Sequence, residues 1–250
     1  MDGQKAKARK FRDLHRKNDP LVLFNVWDAG SAGAVAEAGA KALATSSWAV
    51  AAAHGYEDGE KMPWAASLDN IRRILAVTDL PLTVDLEGGY GDISRTVRDA
   101  VSAGAIGFNL EDLDSGSKKI LPVAEQSERI RQARVAADGV VEGAFLNART
   151  DLFLWTDPSA HTDEMLAEAL KRAEAYAKSG ADGFFAPGLA DPEKIARLCS
   201  RSPLPVNLMS AHGGTPIKTL AKLGVSRISY GPSSYLVAMK ALKEAAAAQV

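Results

Sequence analysis

A single cysteine, Cys199, stands among 250 residues, which excludes an internal disulfide and any metal site built on several thiolates. One thiol suits a reducing cytoplasm. Its place in an apolar helical pattern with Ile195 and Leu198 reads as a buried, inert side chain. Long apolar runs are also missing: the longest, Trp48 to Ala53, is six residues, against about 20 for a membrane-spanning helix. No helix is therefore expected to cross a bilayer. Neither sign of charge dominates, with 30 Lys and Arg against 31 Asp and Glu and a formal net charge of −1. A nucleic-acid partner, which calls for a basic excess or a concentrated basic stripe, is not expected. Seven Lys and Arg do fall within the first 18 residues, but no apolar stretch follows them. A solvated basic helix from Lys5 to Lys17 is read there, not a secretory signal. Of the four histidines, none has a partner at metal-ligand spacing.

What is present is an alternation. With 46% apolar and 24% charged residues the composition is that of an ordinary globular chain. Eight short apolar runs recur along it, at residues 21–26, 42–45, 82–84, 107–110, 143–148, 183–186, 206–208 and 227–229. Amphipathic stretches lie between them, with apolar residues three and four apart. Ser67, Asp92, Asp191-Pro192 and Thr215-Pro216 read as helix starts. Four helix ends repeat one phrase, Ala38-Gly39-Ala40, Ala103-Gly104-Ala105, Ser179-Gly180-Ala181 and Leu223-Gly224-Val225. Glycine there accepts the left-handed conformation that closes a helix before the next strand. No Pro-, Gly- or Ser-rich linker interrupts the pattern, and the G-x-G-x-x-G fingerprint of dinucleotide-binding open sheets is absent. The expectation is an α/β fold, a single (β/α)8 TIM-type barrel over residues 1–250, with a basic N-terminal helix at 1–18 and a C-terminal helix at 234–249.

In such a barrel the working residues sit at the carboxyl ends of the strands. The third run ends in Asp85-Leu86-Glu87-Gly88-Gly89-Tyr90-Gly91, the fourth in Glu111-Asp112, and the fifth in Asn147-Ala148-Arg149-Thr150-Asp151. Asp85 and Glu87, two apart on an extended chain, point the same way. With Glu111 beside them, three carboxylates share a small volume and need protons or a cation to neutralise them. Oxygen donors without accompanying Cys or His favour Mg2+, or Mn2+, over zinc. Arg149 adds a planar fork of donors suited to an anionic substrate group. The same residues also fit a site without metal, in which Arg149 is simply the carboxylates' ion-pair partner.

Thr45-Ser46-Ser47-Trp48, Val84-Asp85-Leu86-Glu87-Gly88-Gly89-Tyr90-Gly91, Asn109-Leu110-Glu111-Asp112 and Ala148-Arg149-Thr150-Asp151, in this order, resemble the motifs of the isocitrate lyase/phosphoenolpyruvate mutase superfamily. The resemblance runs from Asn25-Val26-Trp27-Asp28 to Ser229-Tyr230-Gly231-Pro232. It implies a Mg2+-dependent barrel acting on a 2-oxo or 2-hydroxy carboxylate, or on a phosphonate, through an enolate. It implies Asp85, Glu87, Glu111 and Asp58 around the metal, largely through waters. Trp27, Ser46, Ser47, Trp48, Arg149 and Asn207 would bind substrate, with Lys118 or Lys119 closing over it. A homotetramer or dimer in which the C-terminal helix packs on a neighbouring subunit is implied as well.

Two departures narrow the chemistry. Glu87 and Gly88 stand where the family pattern has Asp and Thr. The loop Ser115-Gly116-Ser117-Lys118-Lys119-Ile120-Leu121-Pro122 lacks the Cys and His of the isocitrate lyases and the Lys-x-Asn of the mutases. The reading that remains is a lyase cleaving a C–C bond of an oxaloacetate-like acid, with Arg149 on the distal group. The alternatives are P–C bond chemistry, as a phosphonomutase or phosphonopyruvate hydrolase, or an inert ligand-binding member of the family.

Overall fold

The computed structural model describes residues 2–249; Met1 and Val250, the ends of the expected domain, lie outside the described residues. Eight strands run β1 Leu21–Leu23, β2 Leu43–Ala44, β3 Leu82–Asp85, β4 Gly107–Glu111, β5 Phe145–Arg149, β6 Gly183–Phe185, β7 Val206–Met209 and β8 Arg227–Ser229. The helices are α1 Asp2–Asp13, α2 Ala29–Glu37, α3 Ser47–Ala53, α4 Trp64–Ala76 and α5 Ile93–Ala103. They continue as α6 Val123–Asp138, α7 Asp163–Lys178, α8 Pro192–Arg201, α9 Ile217–Lys222 and α10 Ser233–Ala247. Every pairing is parallel, in the order β1-β8-β7-β6-β5-β4-β3-β2. The barrel read from the alternation is the barrel that forms.

Its seam is thin. Between β1 and β2 the bridge is Val26 to Thr45, because the chain leaves β1 three residues earlier than the apolar run suggests. Asn25 explains the break: its side chain donates to Thr45 O at 2.8 Å and accepts the Tyr230 and Gly231 N–H groups at 2.8 and 3.0 Å. A polar side chain there ties β1 to both neighbouring strand ends where ladder bonds stop.

All four repeated glycines have positive φ, 90° at Gly39, 121° at Gly104, 100° at Gly180 and 90° at Gly224, the conformation that lets each helix turn directly into a strand. Asp92 and Asp191 cap α5 and α8, accepting from Arg95 N at 3.0 Å and Lys194 N at 2.8 Å. Two expected starts move. The helix assigned to Ser67 begins at Trp64 behind Pro63, and Ser67 is buried with its hydroxyl 3.4 Å from that of Tyr90. Pro216, not Thr215, is the residue flanking α9, with extended ψ and no side-chain cap.

The basic first segment has a packing role. Helix α1 closes the amino-terminal mouth of the barrel, where Phe11 meets Phe145 edge-on at 5.5 Å and His15 stacks on the same ring at 4.1 Å. Its outer cations pair with acids of the barrel rim, Lys5 with Glu142 and Arg12 with Asp182. The helix ends at Asp13, short of the expected Lys17. Among the described residues no helix is long and apolar enough to cross a membrane. Cys199 is buried, and burial pushes its thiol up to about 11.

Candidate active site

Strand register decides which side chains meet. Asp85 pairs across with Asn109, and Glu111 with Arg149. The Glu111 N–H donates to Glu87 O at 2.9 Å, so Glu111 stands beside Glu87, just beyond the strand end. Glu87 itself has φ 48°, a left-handed conformation unusual for a side chain of its size. The surroundings hold it there: its Oε2 accepts the Gly59 and Glu60 N–H groups at 3.0 and 2.7 Å, and its Oε1 accepts the Tyr90 hydroxyl at 2.7 Å. Glu60 braces the neighbouring loops, accepting Tyr90 N at 2.7 Å and the Ser115 hydroxyl at 3.1 Å. Arg129 binds the carbonyls of both Gly88 and Glu111.

Two adjoining cavities open here. One, of about 190 Å³, is lined by Asn25, Ser46, Asp85, Asn109, Phe185 and Met209 among others. The second, of about 140 Å³, is lined by Glu87, Glu111, Ser115, Lys118 and Asp151. Ser47, Asp58, Arg149 and Trp155 border both. Five carboxylates, Asp58, Asp85, Glu87, Glu111 and Asp151, thus line this space against two cations, Arg149 and Lys118.

The electrostatics register that imbalance. Burial pushes the Glu87 carboxyl up to about 7; the Tyr90 hydrogen bond opposes this, and Asp58 and Asp85 add to it. Burial also raises Asp58, with Asp85 contributing. Glu111 is held well above the usual carboxylate range by burial, which Arg149 only partly offsets. Burial works against the charge on Arg149, but Glu111, Asp151 and Asp85 outweigh it and hold the guanidinium firmly protonated.

Arg149 is less free than its sequence position suggests. Its Nε and Nη2 form a two-pronged pair with Asp151 at 2.6 and 2.8 Å, and its Nη1 lies 2.9 Å from Glu111 and 3.5 Å from Asp85. Asp151 is held in turn: its N–H donates to Asp112, whose other oxygen takes Arg172 at 3.0 Å and the Tyr176 hydroxyl at 2.9 Å. Asp85 accepts the Ser47 hydroxyl at 2.9 Å through Oδ2, while its Oδ1 is buried with no hydrogen-bond partner among the described residues.

That orphaned oxygen tests the fit of a metal. Among the described residues, no three His, Cys, Asp or Glu side chains converge closely enough to hold an ion on protein ligands alone. A buried carboxylate oxygen without a partner, next to an acidic excess, nevertheless fits a hard divalent cation that keeps several of its waters. The donor set is all oxygen, which suits Mg2+ or Mn2+.

The remaining expected residues divide. Ser46 caps α3 and lines the larger cavity, as do Ser47 and Trp48. Lys118 reaches the smaller one. Lys119 is exposed and lines neither; Asn207 is buried below Ser229, to which it donates at 3.2 Å; and Trp27 packs edge-on against Tyr235, outside both. Sequence reading assigned no role to Asp151, Glu60, Trp155, Phe185 or Met209. The spacing of Arg149 and Asp151 could have revealed the first, since side chains two apart on a strand share a face. The others carry no local signal.

Comparison with known proteins agrees with this geometry. A family model described as phosphoenolpyruvate phosphomutase matches residues 11–250. The chain belongs to the isocitrate lyase/phosphoenolpyruvate mutase superfamily. Within that superfamily, the crystal structure of a candidate phosphonomutase from Burkholderia cenocepacia J2315 superposes with a TM-score of 0.95 at 47% identity, covering 99% of this chain and 100% of that one. A 2-methylisocitrate lyase of Bacillus subtilis is 28% identical over 96% of this chain and 81% of its own. The fold is shared with a phosphonopyruvate hydrolase solved with oxalate and Mg2+, with a TM-score of 0.82 at 20% identity over 95% of this chain and 84% of that one.

Proposed function

We propose that this protein is a Mg2+-dependent lyase that cleaves a C–C bond of a small 2-oxo or 2-hydroxy acid, with Mn2+ as the alternative ion. The observation that carries this reading is the uncompensated acidity of the site, five carboxylates against two cations with a buried Asp85 oxygen left unpaired. Asp85 would hold the ion directly, and Asp58, Glu87 and Glu111 through its waters. Bound there, the ion supplies Lewis-acid stabilisation of the negative charge that develops on the substrate's C2 oxygen. The hydroxyls of Ser46 and Ser47 and the amide of Asn109 lie on the same cavity and orient the acid's head. Trp48 and Trp155 border the cavity.

The test is turnover of oxaloacetate, phosphonopyruvate, methylisocitrate and a 4-hydroxy-2-oxo acid, followed as substrate lost and as pyruvate, oxalate or phosphoenolpyruvate formed, with Mg2+ or with chelator. At least one is expected to be cleaved, and chelation is expected to stop it. Saturable binding of these acids without metal-dependent turnover of any would establish the inert reading instead. Pyruvate or phosphoenolpyruvate from phosphonopyruvate, with none of the other acids cleaved, would move the assignment to P–C chemistry.

An oligomer built on α10 belongs to the same proposal. The first turn of α10 is anchored by Ser234 on Asn25 O and by Tyr235 against Trp27 and Trp48, but Leu236 and Leu242 beyond it are 53% and 62% exposed. An apolar groove of about 810 Å³ lined by Leu14, Phe24, Val35 and Ile217 lies open on the barrel. A second copy would supply matching surfaces for both, since large exposed apolar patches mark association sites. Leu236→Glu with Leu242→Glu is expected to convert a dimer or tetramer to monomer in light scattering. A monomeric native protein would remove the proposal.

A further inference from the structure

Arg227, at the start of β8, is 1% exposed, and its hydrogen bonds go to neutral groups. Its Nε donates to the Ser229 hydroxyl at 3.4 Å and its Nη2 to Asn109 Oδ1 at 3.3 Å, while Nη1 is buried without a partner among the described residues. The Phe11 ring lies 6.0 Å from the guanidinium carbon. Burial pushes the group down to about 9, and Asp85 is the acid that opposes the shift. Arg227 is therefore charged at neutral pH, and no carboxylate among the described residues pairs with it. Such burial is unfavourable, and the hydrogen-bond network does not require it. Asn109 Oδ1 also accepts Asn147 Nδ2 at 2.9 Å, and the Ser229 hydroxyl is shared with Asn207 at 3.2 and 3.3 Å. Removing the guanidinium would orphan neither. What its position offers is a charge beneath the site: Asn109 and Ser229 both line the larger cavity, so Arg227 lies one side chain below its floor. Arginine only donates, so the Asn109 oxygen faces it and the amide Nδ2 is left to the cavity. Away from bulk water, a charge at that depth acts strongly on an ion bound above it.

We propose that Arg227 is a positioning residue of the head site: its charge favours a carboxylate on the cavity floor, and its fork turns Asn109 Nδ2 toward that carboxylate. This rests on the reading of the cavity as the site of a metal-bound acid. Arg149 is already held by Asp151, Glu111 and Asp85, so Arg227 supplies the positive charge that no protein carboxylate cancels. The same charge opposes a metal cation beside Asp85. Its effects on the acid and on the ion thus have opposite signs, which a merely structural arginine would not produce.

Calorimetric titration of the full-length protein, with Mg2+ alone and then with oxalate at saturating Mg2+, separates the two effects. Arg227→Met keeps the bulk of the side chain and removes the charge. It is expected to weaken oxalate by about 10-fold and to tighten Mg2+ by about 2-fold or more. It should melt no lower than the native protein, because a buried cation without a carboxylate partner has been removed. Arg227→Lys, which keeps the charge, is expected to bind oxalate within about 3-fold of native, and Arg227→Gln to behave as Arg227→Met. Should Arg227→Met not fold, the same comparison between Arg227→Lys and Arg227→Gln decides. Oxalate affinity within about 2-fold of native in the neutral variants, or Mg2+ weakened together with oxalate, overturns this proposal alone. Failure of the native protein to bind oxalate in Mg2+ overturns the reading of the head site and this proposal with it.

Discussion

Replacement of Asp85 by asparagine is expected to lower kcat/KM by about 100- to 1,000-fold, the loss that follows when a charge-stabilising group is removed from a reacting centre. The amide keeps the shape and can still meet the Ser47 hydroxyl, which lies 2.9 Å from Oδ2. What it removes is the negative charge at Oδ1, the buried oxygen without a partner. A ligand that binds only the native state stabilises it by mass action, so Mg2+ should raise the melting temperature of the native protein and leave that of the variant unchanged. Without metal the variant should melt no lower than the native protein. One of five crowded carboxylates has been neutralised, and Arg149 retains Asp151 at 2.6 Å and Glu111 at 2.9 Å. Metal-dependent activity within 10-fold of native in Asp85→Asn would remove Asp85 as the ligand.

The second large effect falls on stability. Asp112 is fully buried and pairs at 3.0 Å with Arg172, whose side chain is 7% exposed and whose other carboxylate partner is the more exposed Glu168, also at 3.0 Å. Asp112→Ala removes the buried one of its two carboxylates and leaves Glu168 alone to compensate the guanidinium; breaking a buried pair in this way usually costs about 3–5 kcal/mol. In a chain of this length that corresponds to a fall in melting temperature of roughly 6–20 °C. The double variant Asp112→Leu with Arg172→Met should recover a large part of it, because no lone charge remains. The consequence reaches the site as well. Asp112 accepts the backbone N–H of Asp151 at 3.0 Å, and Asp151 carries Arg149. Melting curves of the single and double variants decide the matter, and a single variant as stable as the native protein would show that Glu168 suffices to compensate Arg172.

How much of this was legible in the chain differs between scaffold and site. The eight strands could be read because each apolar run is bounded by polar or glycine punctuation, and the four helix-end glycines mark where each turn occurs. Helix starts were less legible. Ser67 looks like a cap but lies on the inner face of α4, because Pro63 already fixes the entry four residues earlier. The site residues on strand ends, Asp85, Glu111 and Arg149, could be named in advance because any parallel barrel gathers its carboxyl ends at one face. What Arg149 does there could not be. A guanidinium on a strand end looks like a free substrate clamp until Asp151 is seen to take two of its nitrogens and Glu111 a third.

The amino-acid order alone determined the repeating unit, the direction of every strand and the acidic character of the catalytic face, because periodicity and glycine placement are local properties of the chain. Closure of the barrel decided the rest. It brought Phe185, Met209 and Trp155, remote from one another and from Asp85 along the chain, onto one cavity. It also placed Asp112 behind Asp151, where a buried charge must find its partner. Contacts between residues so distant leave no local pattern, since they exist only once the strands are laid side by side.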